Sequence, residues 1–226
     1  MLNLILPRRC PLCSCVLLPQ EQTLCLKCMA LLPRVRAEEP GNEVERRLFG
    51  RFEFEHATSF CYYRPKGVFG EVLRQSKFHD RPWLNARFAR LFAQELQMSA
   101  VSGWPYDVDV IVPIPLHPFR LLRRGYNQSV AIAEELSHFW HLPLQTRCLY
   151  KRRFTRSQVG LSGHERLQHE EGSFGVHHPE WLEGHHVLIV DDVMTTGATI
   201  VAAADALLAA VPRVRLSVLT LAFASQ

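Results

Sequence analysis

The chain has 226 residues, a length that allows one good-sized domain and a small appended module. Its hydrophobic content of 47% is ordinary for a globular protein and excludes wholesale disorder. The net charge of +4 is mild and by itself implies no nucleic-acid partner. No apolar run reaches the ~20 residues that a membrane span needs. The opening Met-Leu-Asn-Leu-Ile-Leu also lacks the basic segment that precedes a secretion signal, so we expect a cytoplasmic protein with no membrane span.

Four of the seven cysteines form two Cys-x-x-Cys pairs near the amino terminus, separated by eleven residues. The pairs are Cys10 with Cys13 and Cys25 with Cys28. Each pair can place two thiolates on one side of a tight turn, and two such turns complete a tetrahedron around zinc. Disulfides are disfavoured in a reducing compartment, and about 30 residues bury too little apolar surface to fold alone. We therefore predict a structural zinc site in a ribbon-like module over residues 1–33. Free thiols or a redox pair are the alternative, and Cys15 is close enough to exchange with Cys13.

After residue 33, a charged segment comes first, and segments with regularly spaced apolar residues follow it. Residues 34–50 have few apolar anchors and contain Pro40-Gly41-Asn42, which is typical of a linker. Alternating apolar residues predict strands within 51–64, and helical spacing predicts helices over 68–79 and 83–98. Residues 51–226 are expected to form the larger domain.

A strongly basic turn follows the buried strand predicted at 108–112. It contains Arg120, Arg123 and Arg124, and Asn127 is a suitable cap for the helix that comes next. A loop with three arginines between a parallel strand and a helix suits a bound diphosphate. The alternative is a solvated arginine-rich turn.

Another basic segment runs from Lys151 to Arg166. It includes Arg153, Arg156 and Gln158, and it shows little periodicity. Loops of this kind can close over an anionic substrate and exclude water. A solvated run of charges is the alternative.

The stretch 187–199 carries the strongest signal in the chain. Four apolar residues predict a buried strand, Asp191 and Asp192 follow it, and a short polar loop leads into an alanine-rich helix. The loop residues are Thr195, Thr196, Gly197, Ala198 and Thr199. Backbone N–H groups of such a loop and the helix N-terminus can hold an anion without a basic side chain. The two carboxylates would repel a phosphate, so they suit sugar hydroxyls or a divalent cation.

The stretch 187–199 closely resembles the phosphoribosyl-pyrophosphate signature of the type I phosphoribosyltransferases. With the four cysteines and the motifs Pro113-Ile-Pro115, Arg124-Gly-Tyr-Asn-Gln128 and Arg153 to Arg166, the whole chain is similar to the ComF/GntX family. The resemblance implies an α/β protein with the type I phosphoribosyltransferase fold, a mostly parallel sheet flanked by helices, and a small N-terminal zinc ribbon. The family is linked to natural competence and to the uptake and utilisation of external DNA. DNA-uptake proteins are therefore expected partners.

The resemblance also implies roles for the motif residues. The loop 195–199 would hold the 5-phosphate of phosphoribosyl pyrophosphate or a related nucleotide, and Asp191 and Asp192 would hold the ribose hydroxyls. In an active enzyme a nitrogen nucleophile attacks the anomeric carbon, and pyrophosphate leaves with the help of Mg²⁺. Arg120 and Arg124 would join the two aspartates as catalytic residues. The flexible loop would contain Arg153, Arg156 and Gln158.

Two departures from the family pattern leave the acceptor open. Thr195 stands where hypoxanthine–guanine members have an acidic base, and a base-reading hood would have to come from residues 51–105, with the core in 106–226. Three functions remain: a phosphoribosyl-pyrophosphate-binding protein of DNA utilisation, an active phosphoribosyltransferase, and a non-enzymatic module for single-stranded DNA. For the last, basic loops with interleaved Phe119, Tyr126 and Phe154 would stack on bases.

Overall fold

The computed structural model describes residues 7–36, 39, 41–64, 67–78, 82–99, 105, 107–152 and 172–225. Its helices are α1 (Leu26–Ala30), α2 (Glu43–Leu48), α3 (Val68–Phe78), α4 (Pro82–Met98), α5 (Pro118–Arg124), α6 (Gln128–Trp140) and α7 (Ala198–Ala210). Its strands are β1 (Ala57–Tyr62), β2 (Val110–Pro113), β3 (Leu149–Lys151), β4 (Phe174–Val176), β5 (His186–Met194) and β6 (Arg215–Phe223). The helices predicted over 68–79 and 83–98 are confirmed as α3 and α4.

The main sheet has four strands in the order β1-β6-β5-β2, and every neighbouring pair is parallel. The strands β3 and β4 form a separate antiparallel pair. Parallel strands need crossover connections, and helices supply them here. The mostly parallel sheet flanked by helices is therefore confirmed.

Side chains of β5 alternate between two buried layers. Leu188 and Val190 belong to the layer that contains residues of α3, α4 and α6. Val187 and Ile189 belong to the opposite layer, with residues of α2 and α7. A strand buried on both faces needs a continuous apolar run, which is what 187–190 provides. Each large apolar side chain buried in this way stabilises the fold by roughly 1.5–3 kcal/mol.

Residues 34–50 are more than the predicted linker, because they contain α2. Asn42 caps this helix by accepting hydrogen bonds from the backbone N–H groups of Val44 and Glu45. Val44 and Leu48 are fully buried in the layer that contains α7. Strand β1 begins only at Ala57, and it pairs with β6 inside the main sheet. Residues 51–105 therefore contribute a strand to the sheet as well as α3 and α4.

The cysteine module packs directly against the larger domain. Cys10, Cys25 and Cys28 belong to the same buried layer as Phe88 and Phe92 of α4. The cysteine module and the larger domain thus share one hydrophobic core, and a domain boundary at residue 33 would divide that core.

Residues 33–35 run alongside β1 and fasten the module to the sheet. The N–H of Tyr62 donates to the Pro33 carbonyl at 2.7 Å, and the N–H of Val35 donates to the Phe60 carbonyl at 3.1 Å. Between them, the Arg34 guanidinium pairs with Glu95 of α4 at 2.6 Å. It also lies over the Phe60 ring, 4.8 Å from its centroid. Within the described residues, no helix has the length and apolar character needed to cross a bilayer.

Candidate functional site

A cavity of about 340 Å³ opens beside the carboxyl ends of β2 and β5. These strands are parallel neighbours, and ligands of open α/β sheets bind in the crevice outside such ends. Six of the residues predicted from sequence line the cavity: Asp191, Asp192, Thr195, Thr199, Arg120 and Arg124. Thr196 and Gly197 of the loop before α7, and Ala198 at the first position of that helix, are not among the lining residues.

The two aspartates lie inside β5 rather than after it, because the strand continues to Met194 and pairs with β6 as far as Phe223. Asp191 is held firmly. Its Oδ1 accepts hydrogen bonds from the Ser129 hydroxyl and from the Asp192 N–H, both at 2.8 Å. Fixed carboxylates at a cavity wall are well placed to accept hydrogen bonds from sugar hydroxyls.

Ser129 reaches Asp191 because of the cap at the start of α6. The Asn127 side chain accepts from the Ser129 N–H at 3.1 Å, as predicted for a cap. Its amide nitrogen donates to the Ile114 carbonyl at 2.9 Å, which ties the cap to the segment just after β2. Ser129 was missed by sequence reasoning, although it follows the predicted cap.

The loop 195–197 turns sharply before α7. Gly197 has φ of +81°, a left-handed conformation that side chains disfavour, and it occupies the N-cap position of α7. No side chain caps this helix, and only a long hydrogen bond of 3.4 Å joins the Ala198 N–H to the Thr196 hydroxyl. A helix start without a strong side-chain cap keeps N–H groups for an anion.

The basic turn predicted after β2 is in fact the short helix α5. Proline at its first position and Gly125 in the left-handed conformation after its end are ordinary helix boundary signals. Arg120 and Arg124 are four residues apart, so they lie on one face, and both line the cavity. Arg123 is not among the lining residues.

Among the other cavity residues, Tyr63 and Gln128 were not predicted as site residues, whereas Lys151 begins the basic segment predicted to close over a substrate. Gln128 is only 2% exposed, and its Oε1 accepts from Arg124 at 3.4 Å. Its buried Nε2 has no hydrogen-bond partner among the described residues. A buried amide donor without a partner costs free energy, so this atom marks a place where a ligand acceptor would be favourable.

Arg153, Arg156 and Gln158, which were predicted to belong to a flexible loop, lie outside the described residues. The same holds for Phe154. Lys151, at the end of β3, is the described residue of that basic segment that lines the cavity, and its ammonium lies 4.9 Å from the Phe174 ring centroid.

Four thiols at the amino terminus form the candidate metal centre. The sulfur atoms of Cys10, Cys13, Cys25 and Cys28 all lie within 4.8 Å of one another. Zinc bound to four thiolates at about 2.3 Å requires sulfur separations of about 3.8 Å, so the group fits the metal. The Cys13 and Cys25 sulfurs, for example, are 3.6 Å apart. Cys15 stands beside this group, 3.3 Å from Cys13.

The thiols and their surroundings influence one another electrostatically. Hydrogen bonds from Cys15 lower the pKa of Cys13, whereas burial and the neighbouring thiols raise the pKa of Cys28. Glu21 holds the turn between the two pairs. Its carboxylate accepts from the Leu18 and Leu26 N–H groups at 2.7 and 2.8 Å, and these bonds lower its pKa.

Comparison with known proteins agrees with this architecture. The family model of the phosphoribosyl transferase domain matches residues 77–224. The DNA utilization protein YhgH of Salmonella typhi is 31% identical over 215 residues, which cover 91% of this chain and 92% of the relative. Competence protein F of Haemophilus influenzae is 29% identical over 140 residues, 62% of this chain and 60% of its own. The chain belongs to the ComF family. Its phosphoribosyltransferase fold, expected from the 187–199 motif, is thereby confirmed.

Part of this ComF-family chain lies outside the matched domain. The cysteine module, α2 and β1 all precede residue 77. Among solved structures, a glutamine phosphoribosylpyrophosphate amidotransferase from B. subtilis, complexed with ADP and GMP, gives a TM-score of 0.40 at 20% identity. The alignment covers 65% of this chain and 30% of the other, too distant a likeness to bear on function.

Proposed function

We propose that the cavity binds phosphoribosyl pyrophosphate or a related nucleotide, and that the protein serves the utilisation of exogenous DNA. The main observation behind this proposal is that Asp191 and Asp192 line the same cavity as Thr195, Arg120 and Arg124. These groups are complementary to the parts of such a ligand: carboxylates for ribose hydroxyls, loop N–H groups for the 5-phosphate, and guanidinium groups for the diphosphate.

In this proposal the protein acts mainly by electrostatics. The Asp191 carboxylate, fixed by Ser129, orients the sugar, and Arg120 and Arg124 stabilise charge that develops on a departing diphosphate. Mg²⁺ would arrive with the diphosphate and neutralise part of its charge. The carboxylates in the cavity wall are oxygen ligands of the kind that this metal takes. Tyr63, the residue that follows β1, adds an aromatic side chain to the lining of the cavity.

The role in DNA utilisation is supported by the relatives. These relatives include a DNA utilization protein and competence proteins. We also propose that Cys10, Cys13, Cys25 and Cys28 hold one structural zinc ion, because four thiolates leave no open coordination position. Thiolates of this kind persist in a reducing compartment, which supports a cytoplasmic site of action.

A second function, binding of single-stranded DNA, is favoured by the surface of α5. Phe119 is 62% exposed and Leu122 is 85% exposed, next to the arginines that line the cavity. Exposed aromatic and basic side chains together form platforms on which bases stack. Tyr126, also considered for stacking, instead donates its hydroxyl to the Ser76 carbonyl.

The deciding experiment is a titration calorimetry series with phosphoribosyl pyrophosphate plus Mg²⁺, together with an assay for pyrophosphate release. Saturable binding that is lost in Asp191→Asn with Asp192→Asn supports the nucleotide site, and release in the presence of a base supports turnover. Absence of binding by the unmodified protein would refute the proposal.

A parallel titration with a labelled single-stranded oligonucleotide at several salt concentrations tests the second function. Phe119→Ala should weaken this binding, and Phe49→Ala, at an 83% exposed phenylalanine of a different surface, is the matched control. Equal affinities for the two variants would refute a stacking role for α5.

A further inference from the structure

Two arginines from the amino-terminal part of the chain grip the loop that follows β5. Arg47 of α2 donates to the Thr195 carbonyl at 2.8 Å. Arg51, in the turn after α2, donates to the Thr196 carbonyl at 2.6 Å. Hydrogen bonds from a charged donor are roughly twice as strong as neutral ones. Two consecutive carbonyls of one loop are thus held from the same side.

The orientation of the two held peptide groups matters for the binding of an anion. In a trans peptide the C=O and the following N–H point in opposite directions. Holding the Thr195 carbonyl therefore aims the Thr196 N–H away from α2, and holding the Thr196 carbonyl does the same for the Gly197 N–H. The cavity is lined by Thr195 and Thr199, the residues on either side of these two amides, and by no residue of α2.

The packing around Arg47 and Arg51 restricts the positions that their side chains and the loop can adopt. The Arg47 guanidinium lies over the Phe223 ring, 5.1 Å from its centroid, and Phe223 is buried at the end of β6. A Cβ atom placed on Gly197 would lie 3.1 Å from Leu48 Cδ2 and 3.6 Å from Arg51 Nη1. Helix α2 therefore rests directly against the loop, and the glycine is needed for this contact as well as for its φ.

We infer that Arg47 and Arg51 are positioning residues for the 5-phosphate. They point the carbonyl oxygens of the loop away from the ligand, direct its N–H groups toward the ligand, and add positive charge behind the cradle. The arginines do not touch the ligand. This inference rests on the proposed function, and it assigns a role to a segment that precedes the matched phosphoribosyl transferase domain.

The test compares two ligands on the full-length protein by calorimetry: ribose 5-phosphate, which requires the loop, and Mg²⁺-pyrophosphate, which requires Arg120 and Arg124. Arg47→Met and Arg51→Met should each weaken ribose 5-phosphate by about tenfold. Pyrophosphate affinity should stay unchanged. Arg47→Lys should recover part of the loss, since lysine restores the charge and a single donor. Arg46→Met, at an exposed arginine of the same helix, is the matched control and should bind both ligands normally.

A second measurement follows the backbone directly. In ¹H–¹⁵N spectra of the unmodified protein, ribose 5-phosphate should shift the Thr196 and Gly197 amide signals downfield, and these shifts should shrink in both methionine variants. Unchanged ribose 5-phosphate affinity in the variants would overturn the inference while leaving the proposed function intact. An equal loss for both ligands would show general damage and would also overturn it. Failure of the unmodified protein to bind either ligand would instead refute the proposed function.

Discussion

Replacing Gln128 with methionine should stabilise the protein and weaken its ligand binding at the same time. The Gln128 side chain is 2% exposed, and its Nε2 has no partner among the described residues. The folded protein therefore carries the desolvation cost of an amide donor that water satisfies in the unfolded chain. Methionine has a similar length and helix propensity and no donor, so it removes this cost without leaving a large cavity.

The expected magnitudes follow from two opposing contributions. An unsatisfied buried donor costs about 1–3 kcal/mol. The substitution also removes the hydrogen bond between Oε1 and Arg124, which is weak at 3.4 Å and whose net worth is at the low end of about 0.5–1.5 kcal/mol. The free energy of unfolding should thus rise by about 1 kcal/mol. For a chain of 226 residues this raises the unfolding temperature by about 2–4 °C.

Ligand affinity should move in the opposite direction. If Nε2 donates to a charged oxygen of the nucleotide, its loss should raise the dissociation constant by about 10- to 100-fold. Differential scanning calorimetry and a phosphoribosyl-pyrophosphate titration on the same samples measure both effects. Gln94→Met, at an exposed position of α4, is the control and should change neither quantity. A lower unfolding temperature together with unchanged affinity would refute the reasoning.

Three further outcomes are expected. Asp191→Asn with Asp192→Asn should lower the affinity for phosphoribosyl pyrophosphate at least about 100-fold, since charged hydrogen bonds to the sugar are lost. The circular dichroism spectrum should stay unchanged. A calorimetric titration that gives the affinity of the unmodified protein would contradict this prediction. Removal of the proposed zinc by a chelator should lower the unfolding temperature of the whole chain in one transition, because the thiols share a core with α4. A separate early transition, with the main transition at its original temperature, would show that the module unfolds independently. Arg34→Met should cost about 1 kcal/mol in urea unfolding, a figure that allows for partial solvent exposure of the Glu95 pair, and a double-mutant cycle with Glu95→Gln should give a coupling energy clearly above zero.

The region around the cavity could be read from sequence because local signals there agree with the tertiary structure. Four apolar residues before Asp191 need burial on both faces, and the alanine-rich stretch after Gly197 favours a helix, so strand, loop and helix follow in order. The end of the strand was not predictable in this way. Strand β5 runs on to Met194 because β6 continues to pair with it, and that pairing is a long-range property.

Two of the short helices, α2 and α5, were not predicted, and the reasons differ. Helix α2 has only Val44 and Leu48 to bury, and a six-residue segment with two apolar positions shows no periodicity that separates it from a linker. Helix α5 did carry the signals of a helix, proline at its start and Gly125 after its end. The prediction of a turn relied instead on its high density of arginines. If the segment is treated as a helix, the spacing of four residues already places Arg120 and Arg124 on one face.

Contacts between distant parts of the chain connect the amino-terminal module to the loop that follows β5. Residues 33–35 pair with β1, α2 follows a few residues later, and Arg47 and Arg51 end on the loop 195–196. A disturbance of the thiol cluster would loosen the layer that α4 shares with it, and with it the salt bridge that holds the 33–35 segment in place. The start of α2 would then lose its anchor beside the sheet. Because the contacts of Arg47 and Arg51 with the loop depend on the position of α2, the thiol cluster can contribute to the loop geometry on which the proposed anion site depends, although it is far from the cavity in the sequence.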